Sequence, residues 1–155
     1  MPTRLEHTIR IARPREAVFD FVTQPWRWCE WHPASRHARA EKTVLAPGDV
    51  FDEEIELRPL GPFPLRLRRA TRYEVLEAER PGGWRARGEA GDGWLEIEYR
   101  LEPDGEDTRF TRRLAFEVRG ALRLLGPLLR ARVERQSREA LENLRACLEA
   151  GSGPG

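Results

Sequence analysis

The sequence is poor in lysine, cysteine, methionine and long apolar segments. Of its 27 basic residues only Lys42 is a lysine, so arginine carries almost all of the positive charge. With 26 acidic residues the formal net charge is +1, which argues against a nucleic-acid binder, because such proteins usually have a clear basic excess. We find no signal peptide and no apolar run of membrane-spanning length, so we expect a cytoplasmic protein without an integral membrane segment.

Motifs for metal, nucleotide or nucleophile chemistry are also missing. Cys29 and Cys147 lack the spacing of a ligand cluster, and we interpret them as two buried thiols. His7, His32 and His37 show no ligand spacing either, and the sequence contains no HExxH, P-loop or GxSxG motif. We therefore predict no metal and no cofactor, and no motif identifies a catalytic residue.

The length and composition are those of one soluble domain. A chain of 155 residues with 39% hydrophobic residues should bury roughly 68–70% of its unfolded surface, so it needs no disulfide or metal to fold. No internal repeat or linker divides it. We assign residues 1–150 to a single domain and residues 151–155, GSGPG, to a flexible tail.

Patterns of period two dominate the first eleven residues and the middle of the chain. Thr3–Ile11 alternates between apolar and polar residues and predicts a half-buried strand. The alternation returns between residues 39 and 118, in segments separated by turn sequences such as APGD, ERPGG and PDGED. Strands joined by short turns form an antiparallel meander, and the alternation predicts that one face of the sheet is buried.

Helical patterns lie on both sides of this region. Pro14 suits a first helical turn, and a short helix is predicted after it, followed by a second short helix over the tryptophan-rich segment that ends at Pro33. From Pro127 to Ala150 the period is helical, and a helix of this length, roughly 36 Å, can span the sheet. Its predicted buried stripe consists of Leu129, Val133, Gln136, Ala140, Leu144 and Cys147.

This order of elements resembles the START/Bet v 1-like superfamily (SRPBCC), and within it the bacterial polyketide cyclase/dehydrase-like group. The resemblance is carried by IRIARPREAVFDFV, WCEWHP, TRYEVLEAERPGGW and the C-terminal LGPLL…VERQSREALENLRACLE. It implies an α+β helix-grip fold, in which a curved antiparallel sheet of six to seven strands surrounds the long helix and two short helices follow the first strand. It also implies a cavity between sheet and helix, closed at one end by the short helices.

Several polar or ionisable residues share a strand face with the predicted core, where charges are costly unless they are paired. Either they lie near strand ends and reach solvent, or a β-bulge shifts the alternation, or they form a polar network inside the cavity. Trp28 and Trp31 either line the cavity or only pack. The candidate ligand-binding residues are His7, Trp28, Trp31, Glu53, Arg69, Thr71, Tyr73, Trp84, Tyr99, Arg112, Leu129, Val133 and Gln136.

Three of these charges suggest the chemistry of a ligand. Glu53 and Arg69 lie on consecutive predicted strands, and neighbouring strands are about 4.8 Å apart, so we predict that the two side chains meet. If sheet curvature brings Arg112 inward, the trio has one uncompensated positive charge. Such a charge in an apolar cavity favours a ligand with an apolar body and an acidic or oxygen-rich end.

Three functions remain open. The first is a carrier or sensor of a small hydrophobic molecule such as a lipid, a quinone or a polyketide-like compound. The second is a metal-free cyclase/dehydrase-type enzyme, with His7, Glu53 or Tyr73 as acid or base and Arg69 or Arg112 stabilising an enolate. The third is a protein-interaction module. Because no paired catalytic signature is present, we favour the binding function.

The connections 58–64, 90–93 and 119–127 should lie at one end of the sheet, because alternate joints of a meander do so. Loops are normally polar, so apolar residues in two of them predict the cavity mouth there, with a transient membrane or protein contact. The alternative is that they fold inward and complete the core. These residues are Leu60, Phe63, Leu122, Leu124 and Leu125.

Overall fold

The computed structural model describes residues 2–57 and 67–150. The elements follow in the order β1 (Thr3–Ile11), α1 (Arg15–Val22), a first 3₁₀ helix (Pro25–Glu30), β2 (Ser35–Ala40), β3 (Val50–Leu57), β4 (Leu67–Glu79), β5 (Gly83–Ala90), β6 (Gly93–Asp104), β7 (Asp107–Val118), a second 3₁₀ helix (Gly120–Leu125) and α2 (Gly126–Ala150).

Seven antiparallel strands form one sheet in the order β1-β7-β6-β5-β4-β3-β2. Strands β2 to β7 are a simple meander, and β1 adds to its far edge by pairing with β7, with Thr3 opposite Phe116 and Ile11 opposite Thr108. Helix α2 packs against β1 and both 3₁₀ helices. This is the predicted helix-grip fold, which is thereby confirmed.

Strand alternation decides which side chains are buried, as predicted. We call the sheet face toward α2 the inner face and the opposite one the outer face. On β7, Phe110, Arg112 and Leu114 are buried on the inner face, whereas Arg109 and Arg113 are exposed on the outer face. The inner face thus supplies both the core and the walls of any cavity under α2.

An aromatic cluster fixes the first 3₁₀ helix to the sheet. The Trp28 ring lies edge-on to Phe51, Tyr73 and Trp84, with ring centroids 5.5, 6.0 and 6.0 Å away. Its indole N–H donates a hydrogen bond of 2.8 Å to the carbonyl of Val22 at the end of α1. Aromatic pairs of this geometry contribute about 0.5–1.5 kcal/mol each beyond the area they bury. One end of the sheet is therefore tightly closed.

Three local predictions are wrong. The strand β2 was not predicted, because SRHARA has no apolar alternation; it forms by pairing with β3. Cys29 is exposed and Cys147 is half-buried. The buried positions of the short helix that contains Cys29 are Pro25 and Trp28.

The predicted stripe of α2 is correct in part. Leu129, Ala140 and Leu144 are buried as predicted, but Val133, Gln136 and Cys147 are half-buried. The stripe omitted three buried positions, Ser137, Leu141 and Leu148. The buried side of α2 is therefore wider than one stripe, because its second half packs against the closed core.

The connections 90–93 and 119–127 do meet, since the backbone N–H of Arg119 donates to the carbonyl of Asp92 at 2.7 Å. Leu122 and Leu125 are half-buried, whereas Leu124 is 86% exposed. The third predicted connection, 58–64, with its Leu60 and Phe63, and the predicted tail 151–155 lie outside the described residues. Among residues 2–57 and 67–150, no helix is long and apolar enough to cross a membrane.

Candidate functional site

A cavity of about 130 Å³ lies between the inner face of the sheet and the first half of α2. Most of its wall is apolar. The apolar and aromatic side chains that line it include Trp28, Trp31, Ile55, Tyr73, Leu95, Ile97, Tyr99, Leu114, Phe116, Val118, Leu122, Leu129 and Val133.

All of the predicted ligand-binding residues except His7 and Trp84 line this cavity. Trp84 is buried in the aromatic core instead, where its ring stacks on Tyr99 at 5.3 Å. His7 is on the edge strand β1, against which α2 packs, and it lies opposite Arg112 of β7. Burial is the main cause that lowers the pKa of His7; Arg138 and Arg112 lower it too, and Glu134 raises it.

Glu53 is the centre of a buried hydrogen-bond network. Its Oε2 accepts a hydrogen bond of 2.6 Å from the Ser35 hydroxyl, and its Oε1 accepts one of 3.1 Å from the Tyr73 hydroxyl. Burial raises the pKa of this carboxyl to about 7, although both hydrogen bonds and the charge of Arg112 act to lower it. At neutral pH Glu53 is therefore close to half protonated, which is the condition of an efficient acid or base.

Arg112 is a cation in the wall of an apolar cavity. Arg112 is 5% exposed, and one terminal nitrogen of its guanidinium donates a hydrogen bond of 3.0 Å to the Ser137 hydroxyl of α2. Its Nε has no partner, and no carboxylate oxygen of the described residues lies within 4.0 Å of the guanidinium. A buried guanidinium without an ion pair is costly, and an acceptor oxygen on a ligand would lower that cost.

The predicted contact between Glu53 and Arg69 is wrong. In the register of β3 and β4, Glu53 faces Thr71, while Arg69 faces Ile55 and is only a diagonal neighbour of Glu53. The Arg69 guanidinium instead forms an ion pair of 2.5 Å with Asp92 in the turn between β5 and β6. The predicted trio is thus divided, with Arg69 neutralised near that turn and Arg112 left in the interior.

Sequence reasoning did not select His32 or Gly88, which also line the cavity. The backbone N–H of Ala34 donates to Nδ1 of His32 at 3.1 Å, so Nδ1 carries no proton. Burial and Arg112 lower the pKa of His32 well below its ordinary value, which makes the imidazole neutral with its proton on Nε2. No sequence pattern marks this residue, because its position depends on the loop that follows the first 3₁₀ helix.

Gly88 determines how closely β5 approaches the network. A Cβ atom there would lie 2.6 Å from Cγ2 of Thr71 and 2.8 Å from Cε1 of Tyr73. Any other residue would displace these side chains, so glycine allows Tyr73 to reach Glu53.

Three buried polar atoms on cavity residues have no hydrogen-bond partner among residues 2–57 and 67–150: Trp31 Nε1, Thr71 Oγ1 and Arg112 Nε. Two of them, the indole N–H and the guanidinium N–H, are donors and suit an acceptor oxygen. Within the part of the chain that the structure describes, no three histidine, cysteine, aspartate or glutamate side chains are grouped so as to hold a metal ion. The polar chemistry of the wall is therefore that of hydrogen bonds and charge.

Comparison with known proteins agrees with this architecture. The model of the family described as polyketide cyclase / dehydrase and lipid transport matches residues 2–149. A search of curated protein sequences finds no match.

Among the solved structures that share the fold of this chain are three that bear different names. A START superfamily protein from Mycobacterium smegmatis has a TM-score of 0.75 and 13% identity, covering 96% of this chain and 99% of its own. The Zhui aromatase/cyclase from a Streptomyces species has a TM-score of 0.73 and 18% identity, covering 96% and 94%. Ara h 8.0201 has a TM-score of 0.67 and 11% identity, covering 97% and 99%. At these identities the likeness establishes the fold and no more.

Proposed function

Because this chain belongs to the polyketide cyclase/dehydrase and lipid transport family, we propose that its cavity binds a small hydrophobic molecule with an acidic or oxygen-rich end. The protein acts as a carrier or sensor of that molecule. A lipid, a quinone and a polyketide-like compound all have this chemistry. The apolar wall receives the body of the ligand, and the polar groups near Arg112 receive its oxygens.

The observation that carries this proposal is the buried guanidinium of Arg112, which forms no ion pair with any residue that the structure describes. Glu53 cannot fully offset its charge at neutral pH, because the pKa of that carboxyl is about 7. A carboxylate, phenolate or carbonyl oxygen would satisfy the free Arg112 Nε, and the indole N–H of Trp31 is a second donor on the same wall. Hydrogen bonds to ionised groups are roughly twice as strong as neutral ones, so an acidic end is preferred.

The test compares a medium-chain fatty acid with its methyl ester, using quenching of tryptophan fluorescence to measure binding. The parent is expected to bind the acid at least tenfold more tightly than the ester, and Arg112→Leu to lose that preference. Arg113→Leu is the matched control, since Arg113 lies on the outer face and should leave the preference unchanged. Arg112→Gln, which keeps a polar side chain, replaces Arg112→Leu if circular dichroism shows the latter unfolded.

Equal affinity of the parent for acid and ester would overturn the proposal. The same conclusion would follow if Arg112→Leu and Arg112→Gln both kept the parent's preference for the acid.

A second candidate function, a cyclase/dehydrase-type enzyme, is favoured by the Glu53 site. Its pKa of about 7 and its hydrogen bond to Tyr73 place a proton acceptor in the cavity wall. As a carboxylate, Glu53 would remove a proton from the carbon beside a ligand carbonyl, and Arg112 would stabilise the resulting enolate oxygen. One solved structure of this fold is named an aromatase/cyclase.

Deuterium exchange distinguishes the enzyme from the carrier. If the protein is an enzyme, it should accelerate exchange at the α-carbon of a β-diketone in deuterium oxide, as followed by proton NMR. Glu53→Gln should abolish that acceleration while retaining diketone binding. Exchange at the uncatalysed rate in the presence of parent protein would exclude proton abstraction from such a substrate and leave the carrier function.

A third candidate, protein interaction through the outer face, has less support. The outer arginine Arg72 lies 3.4 Å from Asp52, and Arg68 lies 3.5 Å from Glu56. Both charges are already offset within the sheet, so they offer little to an acidic partner.

A further inference from the structure

The segment 119–135, which we call the basic cap, has a charge balance unlike that of the rest of the molecule. It comprises the second 3₁₀ helix and the first part of α2. Its only acidic residue is Glu134, which pairs with Arg138 at 3.1 Å. The cap therefore carries a formal charge of +4 in a chain of +1, and the remainder carries −3. Its arginines are Arg119, Arg123, Arg130, Arg132 and Arg135.

None of these five arginines forms a side-chain hydrogen bond or ion pair with any described residue. The undescribed residues 1, 58–66 and 151–155 contain no aspartate or glutamate. On the outer face of the sheet, by contrast, exposed arginines are commonly placed beside carboxylates; Arg113, for example, contacts both Glu6 and Glu98. The charge of the cap is thus free to act on something outside the protein.

The basic cap also exposes apolar surface. Of the large hydrophobic side chains in residues 2–57 and 67–150, the strongly exposed ones are Val44, Val50, Leu124 and Leu128, and the last two belong to the cap. Leu124 is 86% exposed and Leu128 is 48% exposed. Positions 128, 132 and 135 of α2 share one side of a helix, so Leu128 lies beside Arg132 and Arg135.

The opposite side of the same segment closes the cavity. Leu122, Leu129 and Val133 of the cap line the cavity wall. One short stretch of chain therefore touches the interior on one side and presents leucine with arginine to the exterior on the other. Any surface that binds the exterior side is placed next to the cavity.

We propose that the basic cap docks on the surface of an anionic lipid bilayer. Leu124 and Leu128 enter the headgroup region, and the arginines contact lipid phosphates. Apolar residues combined with free basic residues are the mark of a helix that lies at a membrane interface. A nucleic acid would bind the arginines through its phosphates but would not account for the two exposed leucines. Docking does not require a bound ligand. It rests on the proposed function only in what it would serve, which is the exchange of an apolar molecule between the cavity and the membrane.

Flotation with lipid vesicles tests this proposal. The parent should bind vesicles of phosphatidylcholine with phosphatidylglycerol, bind pure phosphatidylcholine at least tenfold more weakly, and be released by high salt. The double variant Arg123→Glu, Arg130→Glu should bind the anionic vesicles at least tenfold more weakly, since each arginine near such a surface contributes about fivefold. Leu124→Ala with Leu128→Ala should weaken binding several-fold at every salt concentration.

The matched control is the double variant Arg4→Glu, Arg109→Glu, which makes the same change in net charge at exposed positions outside the cap. It should bind anionic vesicles within about threefold of the parent, because charge is felt within a Debye length of the surface. Equal loss in both double variants, or no vesicle binding by the parent, would overturn the proposal. Arg112→Leu should retain vesicle binding, so failure of ligand binding and failure of docking are observed separately.

Discussion

Arg112 and Arg113 are consecutive residues of β7, yet they have different surroundings. Arg113 is on the outer face, where its side chain bridges Glu6 at 2.9 Å and Glu98 at 3.1 Å. Arg112 is on the inner face, 5% exposed, where one terminal nitrogen donates a hydrogen bond to the hydroxyl of Ser137. The charge of Arg113 on the outer face is offset by carboxylates and solvated, whereas the charge of Arg112 on the inner face is available to a ligand.

Glu53 and Glu54 of β3 show the same contrast. The Glu54 carboxylate lies 3.6 Å from His37 and 4.0 Å from Arg68 on the outer face. The Glu53 carboxyl is held by two hydroxyl groups, and burial raises its pKa to about 7. Two adjacent carboxyls thus have different partners, cations for Glu54 and hydroxyl groups for Glu53, because of the face they occupy. Three pairs of substitutions and one single substitution test how far this contrast between the faces extends.

The largest difference is expected between two tryptophans. Trp84 is 1% exposed in the inner aromatic core, and Trp84→Ala should lower the free energy of unfolding by about 3–5 kcal/mol. Trp94 is half-buried, with the Arg87 guanidinium 4.4 Å from its ring centroid, and Trp94→Ala should cost about 1 kcal/mol. Urea unfolding followed by circular dichroism measures both, and equal costs would contradict the contrast.

The next difference concerns pH. The pKa of Glu53 is raised from 4.5 to about 7 in the folded protein, mainly by burial, so the folded state binds more protons than the unfolded state between these values. This group therefore lowers stability progressively as the pH rises from 4.5 to 7, by roughly 3 kcal/mol once it is fully ionised.

Glu53→Gln should remove this term, and Glu54→Gln should leave it in place. The free energy of unfolding of Glu53→Gln, measured relative to the parent, should increase between pH 5 and pH 8 by up to that amount. The lowered pKa of His32 is present in all three proteins and cancels in the comparison. A relative stability of Glu53→Gln that does not change with pH would show that Glu53 is not buried as described.

A smaller effect is expected from two glycines. Gly88→Ala would place a Cβ against Thr71 and Tyr73, so it should destabilise the protein by about 1–3 kcal/mol and disturb the hydrogen bond from Tyr73 to Glu53. Gly91 has no atom within 4 Å of such a Cβ, and Gly91→Ala should change stability by less than about 0.5 kcal/mol. Thermal unfolding of both variants provides the comparison; a Gly88→Ala protein as stable as Gly91→Ala would mean that Tyr73 has room to move.

The smallest effect is expected at the surface. Arg113→Ala removes two exposed ion pairs, each typically contributing at most about 1 kcal/mol, and the loss should shrink in high salt. Denaturant unfolding at low and high salt measures this. A salt-independent loss of several kcal/mol would show that the outer charges contribute more to the fold than exposed pairs normally do.

Most of the correct predictions about this molecule came from the alternation of side chains along the strands. Alternation correctly placed Glu53, Tyr73 and Arg112 on the inner face, because the side-chain period of a strand is two whatever its neighbours are. The periodicities predicted the order of elements, and the resemblance then implied the cavity. Which inner residues bind a ligand stays a prediction.

The sequence predicts contacts between different strands and helices less well. Arg69 faces Ile55 rather than Glu53 because of the register between β3 and β4, which no single strand pattern determines. Ser35 reaches Glu53 through β2, whose pairing with β3 shifts register between Ser35 and His37. Such register shifts and close approaches, like that at Gly88, arise from the packing of several strands at once.

The pairing of β1 with β7 has a kinetic consequence. Thr8 and Thr111, hydrogen-bonded at 3.0 Å, are 103 residues apart in sequence. At a synthesis rate of about 5–20 residues per second, β1 waits roughly 5–20 s on the ribosome before its partner strand β7 exists. Long-range pairings also slow refolding, because the loop must close before the contacts form. The newly made chain therefore passes through a stage in which the five strands β2 to β6 can form their meander while β1 remains unpaired, exposed to chaperones and to other copies of itself.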